Sequence, residues 1–521
     1  MKKWMIVLLI SRHLVAAAQG EQMMTGLYEP SWESLARRGS APGWFRDAKF
    51  GIWAHWGPQC QPEAGDWYGR NMYMEGSRQY RHHLQHYGHP SVAGFKEVIG
   101  AWKADEWNPD RLLELYRRAG ARYFLAMGNH HDNFDLWDSK HQPWNSMNMG
   151  PRRDILDEWA TAARARGLFF GVSIHSAHAW TWYETARGAD KNGPLAGAPY
   201  DGLLSPDDGK GAWWEGYDPN DLYAQQHPPS APGGNDEARW EWADGAAIPS
   251  EEYCRNFFDR TADMINRYRP DLVYFDDYHA PLWPVSDQGL RAVAHLYNSV
   301  DSAVAFAKML AGEEKKALTW DVEKGAPPDA QPLPWQTCSC LGGWHYDREL
   351  YLRDGYKSAR DVIQMLIDIV SKNGNLLLSV PLRANGTIDE KEEAILEEIA
   401  AWMEVNGQAI HDSRPWSVFG EGPSTRANAG IINERQRPAY TPEDIRFTAR
   451  AGILYAHLMA PPDRGQVLVK SLSKDNPRRV RSVTLLGNNQ QLNFKRTREG
   501  LLVNLPGGLP GGSLPLVLAI R

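Results

Sequence analysis

Short apolar segments that end in polar residues recur along the first three quarters of the chain. Their residues are apolar at odd and even positions alike, which is typical of strands in a parallel sheet covered on both faces. Seven segments have the length and composition of such strands: Phe50 to Trp56, Tyr123 to Asn129, Phe169 to His175, Leu272 to Asp276, Ala317 to Glu323, Trp335 to Leu341 and Asn375 to Leu382.

Amphipathic segments precede several of these predicted strands. They are Asp110 to Ala119, Ile155 to Arg166, Glu252 to Tyr268 and Ala359 to Ser371. Strand and helix that alternate over this length predict an α/β fold, a (β/α) TIM-like barrel. Such a barrel has eight strands, so either one strand escapes the pattern or the barrel is irregular.

The pattern changes after Glu390 to Asn406, which we interpret as the last helix of the barrel. From about Arg414, short alternating segments are separated by Gly and Pro, and they predict a small C-terminal β-sandwich. Examples are Gln466 to Leu472, Val480 to Leu486 and Leu514 to Ile520. The predicted domains are therefore a barrel at residues 25–410 and a β-sandwich at residues 414–521.

The connection from Ser176 to Pro249 is unusually long and rich in aromatic residues. It contains Trp180, Trp182, Trp213, Trp214, Trp240 and Trp242. A connection of that length in a compact domain is usually functional, so we expect a lid or a substrate wall at the barrel mouth. The alternative is a surface excursion that packs its own aromatic side chains.

Composition narrows the choice of partners. The 521 residues carry a net charge of −7, which disfavours nucleic acid as a partner. The 23 tryptophans suit a carbohydrate-binding protein, although a tryptophan-rich core would explain them too.

The N-terminus has the pattern of an export signal. Lys2 and Lys3 precede the apolar run Trp4 to Ile10, and small residues at Ala16 to Ala18 offer a cleavage site. We predict a signal peptide at residues 1–18 and a periplasmic or extracellular protein. The apolar run is too short to span a bilayer, so no membrane span is expected. The sequence does not indicate an oligomeric state.

The four cysteines do not form a disulfide framework. Cys338 and Cys340 stand two residues apart, and neither a Cys nor a His cluster completes a zinc site with them. We expect all four, including Cys60 and Cys254, to be buried free thiols.

Five predicted strands end in titratable side chains. The residues at these ends are His55, the run His130 to Asp132, His175, the pair Asp276–Asp277, and Glu323. Barrel enzymes carry their working residues at the carboxyl ends of the strands, so these side chains should converge on one opening.

Two carboxyl groups at such an opening suit glycoside hydrolysis, in which a retaining enzyme uses one as nucleophile and the other as acid/base. Asp276 shares the phase of Tyr274 along its strand and is the candidate nucleophile, with Asp277 as its rival. Glu323 is the candidate acid/base and Asp321 its rival. Apolar neighbours such as Trp320 would favour the protonated acid.

The pair His130–His131 has two interpretations. Adjacent residues on one strand rarely bind the same ion, and no spaced carboxylate completes a metal site, so we predict hydroxyl recognition and no metal. The run from Gly128 to Asp132 is also similar to a metallophosphoesterase signature, but the further motifs of that class are missing.

Several motifs in order resemble the α-L-fucosidases of glycoside hydrolase family 29, from about Trp44 to the C-terminus. This chain has counterparts of the family's characteristic motifs. These are the opening strand, the E-W-Y segment, the H-H-D-G-F-x-L-W-x-S motif, the nucleophile strand, and W-E-T-C followed by W-G-Y. The matching segments are Trp44 to Gly57, Asp66 to Tyr73, His130 to Ser139, Pro270 to Asp277, Trp335 to Tyr346, Asn373 to Ile388, Trp416 to Pro423 and Arg446 to Ala456.

The resemblance implies a barrel with a C-terminal β-sandwich, a retaining mechanism without a metal cofactor, and a fucosylated oligosaccharide or glycoconjugate as substrate. It implies that Asp276 is the nucleophile and, through a less uniform motif, that Glu323 is the acid/base. It also implies a fucose pocket lined by His55, Asp66, Trp67, His130 and His131. The substrate-binding candidates further include His175, Tyr274 and Trp344.

The sequence departs from the family pattern at several of these positions. Asp66 stands where Glu is usual, Asn133 and Asp277 stand where Gly is common, His175 stands where Tyr is frequent, and Gln336 replaces the Glu of W-E-T-C. L-galactose, which differs from L-fucose by one hydroxyl, therefore stays open as the glycone. A non-catalytic sugar-binding relative and, more remotely, a metallophosphoesterase are the alternatives to a fucosidase.

Overall fold

A computed structural model describes residues 20–39, 41–231, 242, 245–426, 432–436, 438–462, 465–488, 490–507 and 514–521. The predicted signal peptide at residues 1–18 and Trp240 lie outside these ranges. Among the described residues, no helix combines the length and the apolar character needed to cross a bilayer.

Eight parallel strands form a closed barrel in chain order, which confirms the predicted fold. They are β1 Phe50–Ala54, β2 Tyr123–Asn129, β3 Phe169–Ile174, β4 Leu272–Phe275, β5 Val304–Ala307, β6 Thr319–Asp321, β7 Trp335–Cys340 and β8 Gly374–Ser379. β1 pairs with both β2 and β8, so the sheet has no free edge. The strand missing from the sequence pattern is β5, in which two of the four residues are alanine.

Large side chains fill the interior of the barrel and leave little room beside them. Trp53, Tyr123, Tyr274 and Phe306 are buried there. Gly51 faces the ring of Tyr123, and a Cβ at that glycine would lie 2.3 Å from the ring. This packed interior is a rigid base for the residues that follow the strands.

Helices surround the barrel and occupy its connections. The α-helices are α1 Trp32–Ala36, α2 Gly43–Ala48, α3 Tyr68–Asn71, α4 Arg78–His86, α5 Phe95–Ala101, α6 Pro109–Arg118, α7 Ile155–Ala165, α8 Ala179–Trp182, α9 Pro219–Tyr223, α10 Glu251–Tyr268, α11 Gln288–Ser299, α12 Glu314–Ala317, α13 Arg348–Leu352, α14 Ala359–Ser371 and α15 Glu390–Asn406. Local sequence sets their ends: the Asn108 side chain accepts a hydrogen bond from the Arg111 N–H, and Pro109 fills the first position of α6.

The C-terminal strands form two antiparallel sheets, as the alternating pattern predicts. One has the order β13, β16, β11, β10, β9 and the other β12, β15, β14. Their bounds are β9 Arg414–Glu421, β10 Ile445–Arg450, β11 Ile453–Leu458, β12 Gln466–Val469, β13 Val483–Leu485, β14 Phe494–Arg496, β15 Leu501–Asn504 and β16 Leu516–Ile520. The domain bounds at 25–410 and 414–521 stay a prediction.

A buried ion pair joins the sheets to the barrel. Arg446 on β10 donates from Nε to Asp368 Oδ1 on α14 at 2.6 Å, and both side chains are buried. Such a pair is costly to break because either charge alone would remain buried without a partner. The C-terminal sheets therefore have a fixed place against the barrel.

Candidate active site

A cavity of about 240 Å³ opens at the carboxyl end of the barrel strands. Every predicted site residue except His175 lines it. The lining residues are Trp53, His55, Asp66, Trp67, His130, His131, Tyr274, Asp276, Tyr278, Lys308, Glu323, Cys338, Trp344, His345 and Ile432. The convergence that the strand ends predict is therefore present in the structure.

Asp276 directly follows β4 and contacts three polar side chains. Its Oδ2 lies 3.2 Å from His131 Nε2 and 3.1 Å from His175 Nδ1, and its Oδ1 contacts Lys308 Nζ. Burial opposes ionisation of Asp276, but the Lys308 charge and the two imidazoles hold its pKa well below the ordinary value. Asp276 is thus an anion at a fixed position, in contact with the cavity.

Asp277, the rival of Asp276, points elsewhere. Its Oδ1 lies 2.8 Å from His178 Nε2, and it is buried away from the cavity. Tyr274 on β4 and Asp276 directly after it both line the cavity, as expected for residues two apart in an extended segment. The geometry therefore favours Asp276 as the residue that can reach a bound substrate.

Lys308, which the sequence analysis does not identify, joins the two candidate carboxylates. It follows β5, and its Nζ bonds to Glu323 Oε2 at 2.7 Å as well as to Asp276. Burial disfavours the ammonium, but the two carboxylates raise the pKa of Lys308 well above its ordinary value. Because both carboxylates bond to one nitrogen, their nearest oxygens lie within about 5.5 Å of each other.

Glu323 lies in the loop that follows β6, and its rival Asp321 is the last residue of that strand. Asp321 is fully buried and accepts hydrogen bonds from Tyr274, Gln336 and Cys338. Burial raises the pKa of Asp321 to about 6, and its side chain does not line the cavity. Of the two carboxyl groups, Glu323 is the one in contact with the cavity.

Uncharged histidines form one wall of the cavity. Burial, with the neighbouring ring charges, holds the pKa values of His55 and His130 well below the ordinary value. Burial lowers the pKa of His131 to about 4 in spite of its bond to Asp276. The three imidazoles are therefore neutral at pH 7 and can donate or accept hydrogen bonds with sugar hydroxyls.

His175 stands behind Asp276 instead of facing the cavity. It is 1% exposed, its Nε2 lies 3.1 Å from Ser173 Oγ, and its backbone oxygen lies 2.7 Å from His131 Nδ1. The structure therefore places His175 one layer away from a bound ligand, where it contacts the groups that would touch that ligand.

Asp66 and Trp67 face the cavity from the connection between β1 and α3. Asp66 Oδ1 accepts a hydrogen bond from the backbone N–H of His345 at 2.6 Å. Burial opposes ionisation, but the contacts with His345 lower the pKa of Asp66. Trp67 has a left-handed φ of 59°, a conformation that is rare for an aromatic residue.

The described part of the connection from Ser176 to Pro249 lies behind the histidines and does not cover the cavity. Trp182 is buried, with its ring 6.2 Å from the rings of both His130 and His131. Trp180 stacks on His227, and none of the connection's described residues lines the cavity. The described residues of this connection therefore fit a segment that packs its own aromatic side chains better than a lid or a substrate wall.

Two groups of described residues have the spacing of metal ligands: His55–His130–His175 and His131–His175–Asp276, each with ligand atoms within 4.8 Å. The expectation that no carboxylate completes such a group is therefore wrong, because folding brings Asp276 to the histidines. The Lys308 ammonium already bonds to Asp276, however, and would repel a second cation there. The arrangement suits hydroxyl recognition better than a metal ion.

Six lining residues are not among the site residues predicted from the sequence: Trp53, Tyr278, Lys308, Cys338, His345 and Ile432. Lys308 follows β5, whose two alanines weaken the strand pattern, and a polar residue after Val304–Ala307 is the signal that could identify it. His345 follows Trp344 directly and is fully buried against His130. Ile432 comes from the C-terminal part of the chain, and no local pattern marks it.

All four cysteines are buried and unpaired, as predicted. Burial raises the pKa of the Cys60 thiol to about 12 and that of Cys338 well above its ordinary value. Cys338 reaches the floor of the cavity, where its thiol donates to Asp321. These thiols are therefore protonated and unreactive at pH 7.

Comparison with known proteins gives a consistent result over nearly the whole chain. Residues 15–408 match the family model described as alpha-L-fucosidase, and residues 436–516 match the one described as alpha-L-fucosidase C-terminal domain. The tissue alpha-L-fucosidase of Rattus norvegicus is 25% identical over 518 residues, which cover 96% of this chain and 94% of the relative. The tissue alpha-L-fucosidase of Homo sapiens is 26% identical over 94% of this chain and 90% of its own length.

Solved structures share the fold. A structure described as an alpha-L-fucosidase superposes with a TM-score of 0.70 at 22% identity and covers 95% of this chain and 99% of its own. The Thermotoga maritima alpha-fucosidase superposes with a TM-score of 0.68 at 23% identity and covers 95% of this chain and 100% of its own. The barrel and the C-terminal sheets therefore occur together in these structures as they do in this protein.

Proposed function

The chain belongs to the α-L-fucosidase family, and from that premise we propose that it hydrolyses terminal α-L-fucosyl residues, or closely related L-galacto-configured residues, from glycans. We propose a retaining reaction in which Asp276 forms a covalent glycosyl ester and Glu323 acts as acid and base. The observation that carries the proposal is the single Lys308 ammonium bonded to both carboxylates. The shared ammonium keeps the nearest carboxylate oxygens within about 5.5 Å, which agrees with the roughly 5–5.5 Å of retaining enzymes and is shorter than the roughly 6.5–9.5 Å of inverting ones.

In the first step, a carboxylate oxygen of Asp276 attacks the anomeric carbon of the glycone. The bond from that carbon to the glycosidic oxygen breaks, and Glu323 gives its proton to the departing oxygen. The low pKa of Asp276 keeps this nucleophile ionised, and the contacts with His131 and His175 fix its orientation. The aglycone leaves as an alcohol, and the sugar stays on Asp276 as an ester.

In the second step, Glu323 takes a proton from water, and the oxygen of that water attacks the anomeric carbon. The ester bond breaks, Asp276 regains its charge, and the two inversions restore the original configuration. Lys308 fits this exchange of roles. While Asp276 is esterified it carries no charge, and the ammonium then has Glu323 as its remaining carboxylate partner.

The cavity itself supports action on a terminal residue. Its volume of about 240 Å³ is below the roughly 300–1,000 Å³ of pockets for drug-sized ligands, so it has room for one sugar ring. Neutral imidazoles at His55, His130 and His131 supply hydrogen bonds to hydroxyls, and Trp67 and Trp344 supply apolar faces. Asp66, one methylene shorter than Glu, is the reason to test L-galactosides beside L-fucosides.

The test is hydrolysis of an aryl α-L-fucoside by the wild type and by Asp276→Ala, with and without azide. We expect activity in the wild type, a loss of several orders of magnitude in the variant, and partial recovery with azide, because the removed carboxylate leaves space for a small anion. The recovered product should be the β-fucosyl azide, since azide replaces the nucleophile and no second inversion follows.

Each other outcome has a definite meaning. Full activity in Asp276→Ala would refute the assigned nucleophile and turn attention to Asp277. A wild type that hydrolyses L-galactosides faster than L-fucosides would change the glycone but keep the mechanism. A wild type inactive on both, and on branched fucosylated glycans, would favour a non-catalytic sugar-binding protein.

We further propose that the protein is exported and acts in the periplasm or outside the cell. The basis is the run of Lys2 and Lys3, the apolar segment Trp4 to Ile10 and the small residues Ala16 to Ala18. N-terminal sequencing of the mature protein tests this proposal. A first residue near position 19 is expected, and a mature chain that retains Met1 would contradict it.

A further inference from the structure

A short segment from the C-terminal part of the chain, the bracing segment Ile432 to Glu434, returns to the mouth of the barrel. The backbone N–H of Ile432 donates to the backbone oxygen of Glu323 at 2.8 Å, and the N–H of Glu434 donates to the oxygen of Lys324 at 3.0 Å. The backbones of Glu323 and Lys324 are therefore hydrogen-bonded to the backbone of a segment that is distant in the sequence.

The bracing segment is itself fixed to the barrel through the carboxylate of Glu434. Its Oε1 lies 3.0 Å from Lys357 Nζ, and its Oε2 accepts a hydrogen bond from Ser339 Oγ at 2.7 Å. Ser339 belongs to β7, and Lys357 also donates to the backbone oxygen of Cys340 at the end of that strand. The charge-assisted bonds at both oxygens hold Glu434, and with it the bracing segment, in one place.

Ile432 has a strained backbone and an exposed side chain. Its φ of 53° is left-handed, which is a rare conformation for a β-branched residue. The residue is 64% exposed, yet it lines the same cavity as Glu323. Strain of this kind persists only where the surroundings enforce it, and it is concentrated at ligand sites.

We propose that the bracing segment positions the acid/base: it fixes the Glu323 loop so that the carboxylate faces the glycosidic oxygen, and Ile432 gives the aglycone an apolar wall. This inference rests on the proposed role of Glu323. A general acid must stand within hydrogen-bond reach of the oxygen that it protonates, and a displacement of about 1 Å can cost about a hundredfold in rate. Glu434 does not touch the substrate and acts through the loop.

The test compares aryl α-L-fucosides whose leaving groups differ in their need for a proton. Glu434→Gln weakens the anchor at Lys357 and keeps the shape of the side chain. We expect kcat/KM to fall about tenfold or more for phenyl fucoside, which needs the acid, and less than about threefold for 2,4-dinitrophenyl fucoside, which does not. An equal loss on both substrates, or no loss on either, would overturn the proposal.

Two controls separate this proposal from its premise. Glu323→Ala should give the largest dependence on the leaving group; if it gives none, the acid/base assignment itself fails, whatever Glu434→Gln does. Glu421→Gln changes another glutamate of the C-terminal part, one that bonds through both oxygens to the backbone N–H groups of Lys470 and Ser471. It should leave the leaving-group dependence at the wild-type value.

A fourth variant tests the apolar wall without changing the Glu434 anchor. Ile432→Gly removes the apolar side chain, and glycine adopts the left-handed conformation without strain, so folding should be preserved. We expect KM for phenyl fucoside to rise about three- to tenfold, while inhibition by free L-fucose, which has no aglycone, stays within about twofold. An unchanged KM would remove Ile432 from the proposal, and equally weakened L-fucose binding would contradict the aglycone wall.

Discussion

Asp276 and Glu323 bond to the same ammonium, but the structure holds them in different ways. Asp276 directly follows a barrel strand and contacts side chains from the ends of β2, β3 and β5. Glu323 lies in a loop, contacts Lys308 through its side chain and is bonded through its backbone to Ile432. The proposed nucleophile, Asp276, is thus held by several charged and polar side chains. The proposed acid/base, Glu323, lies near Asp276, whose charge is lost while the proposed ester exists.

This difference agrees with what the two groups must do. A nucleophile that attacks one carbon benefits from a fixed position and a constant charge in the free enzyme. An acid that later acts as a base must first give a proton to the departing oxygen and then take one from the attacking water. The contrast between the two carboxylates can be tested by four changes, of which the first removes the group that they share.

Lys308→Met should have the largest effect of the four. Without the ammonium, we expect kcat/KM to fall by roughly 10²–10³, the size seen when one preorganised electrostatic group is removed. Lys308 lowers the pKa of Asp276, so in the variant the carboxylate binds a proton at higher pH and the acidic limb of kcat/KM moves upward. Rate profiles from pH 3 to 8 measure both quantities.

Lys308→Arg is the matched control, because it keeps the positive charge. Its acidic limb should stay near that of the wild type even if its rate falls. A Lys308→Met variant with a reduced rate but an unmoved acidic limb would mean that Lys308 acts by packing and not by charge.

His175→Phe tests whether the proposed nucleophile depends on its buried support. The change removes one polar contact of Asp276, and we expect kcat/KM to fall about tenfold or somewhat more, with a smaller upward shift of the acidic limb than in Lys308→Met. Ser173→Ala, which removes the partner of the other ring nitrogen, is the control and should cost less. A larger effect from His175→Phe than from Lys308→Met would mean that the imidazole supports Asp276 more strongly than the ammonium does.

Asp277→Asn should separate stability from activity. Asp277 pairs with His178 away from the cavity, so kcat/KM should stay within about threefold of the wild type. Loss of the buried pair should lower the melting temperature by about 1 °C for each kcal/mol lost, because the unfolding entropy scales with the 521 residues of the chain. Calorimetry and steady-state kinetics on one preparation measure both, and a loss of activity without a loss of stability would favour Asp277 as the nucleophile.

Treatment with EDTA should have the smallest effect, namely none. The groups His55–His130–His175 and His131–His175–Asp276 have ligand spacing, but the proposed reaction has no metal-dependent step. Activity that falls with EDTA and returns with a divalent cation would contradict this prediction. It would mean that a metal ion, and not the Lys308 ammonium, interacts with Asp276 during the reaction.

Sequence patterns predict the two parts of the fold and most of the cavity, because buried parallel strands produce unbroken apolar runs. The pattern fails at β5 because two of its four residues are alanine, which is uncommon in strands, and Lys308 is missed with that strand. It also fails for His345, since nothing in the sequence states that this side chain turns inward toward His130.

The bracing segment illustrates a different limit. Ile432 and Glu434 acquire their place through contacts with a loop and a strand that are distant in sequence. Periodicity describes only near neighbours, so it cannot assign a residue of the C-terminal part to the barrel mouth. Likewise, the long tryptophan-rich connection shows its length in the sequence but not the side of the histidines on which it packs.

The four buried thiols make the protein a convenient host for spectroscopic labels. Because burial keeps each native cysteine protonated and shielded, a single cysteine introduced at an exposed position would be the one that reacts with a maleimide. Labels placed at Met309, next to Lys308, and at Leu352, at the end of α13, are suitable because these residues are 46% and 61% exposed and no native cysteine needs to be removed. Motion of the loops around the site during turnover could then be followed in the otherwise unmodified chain.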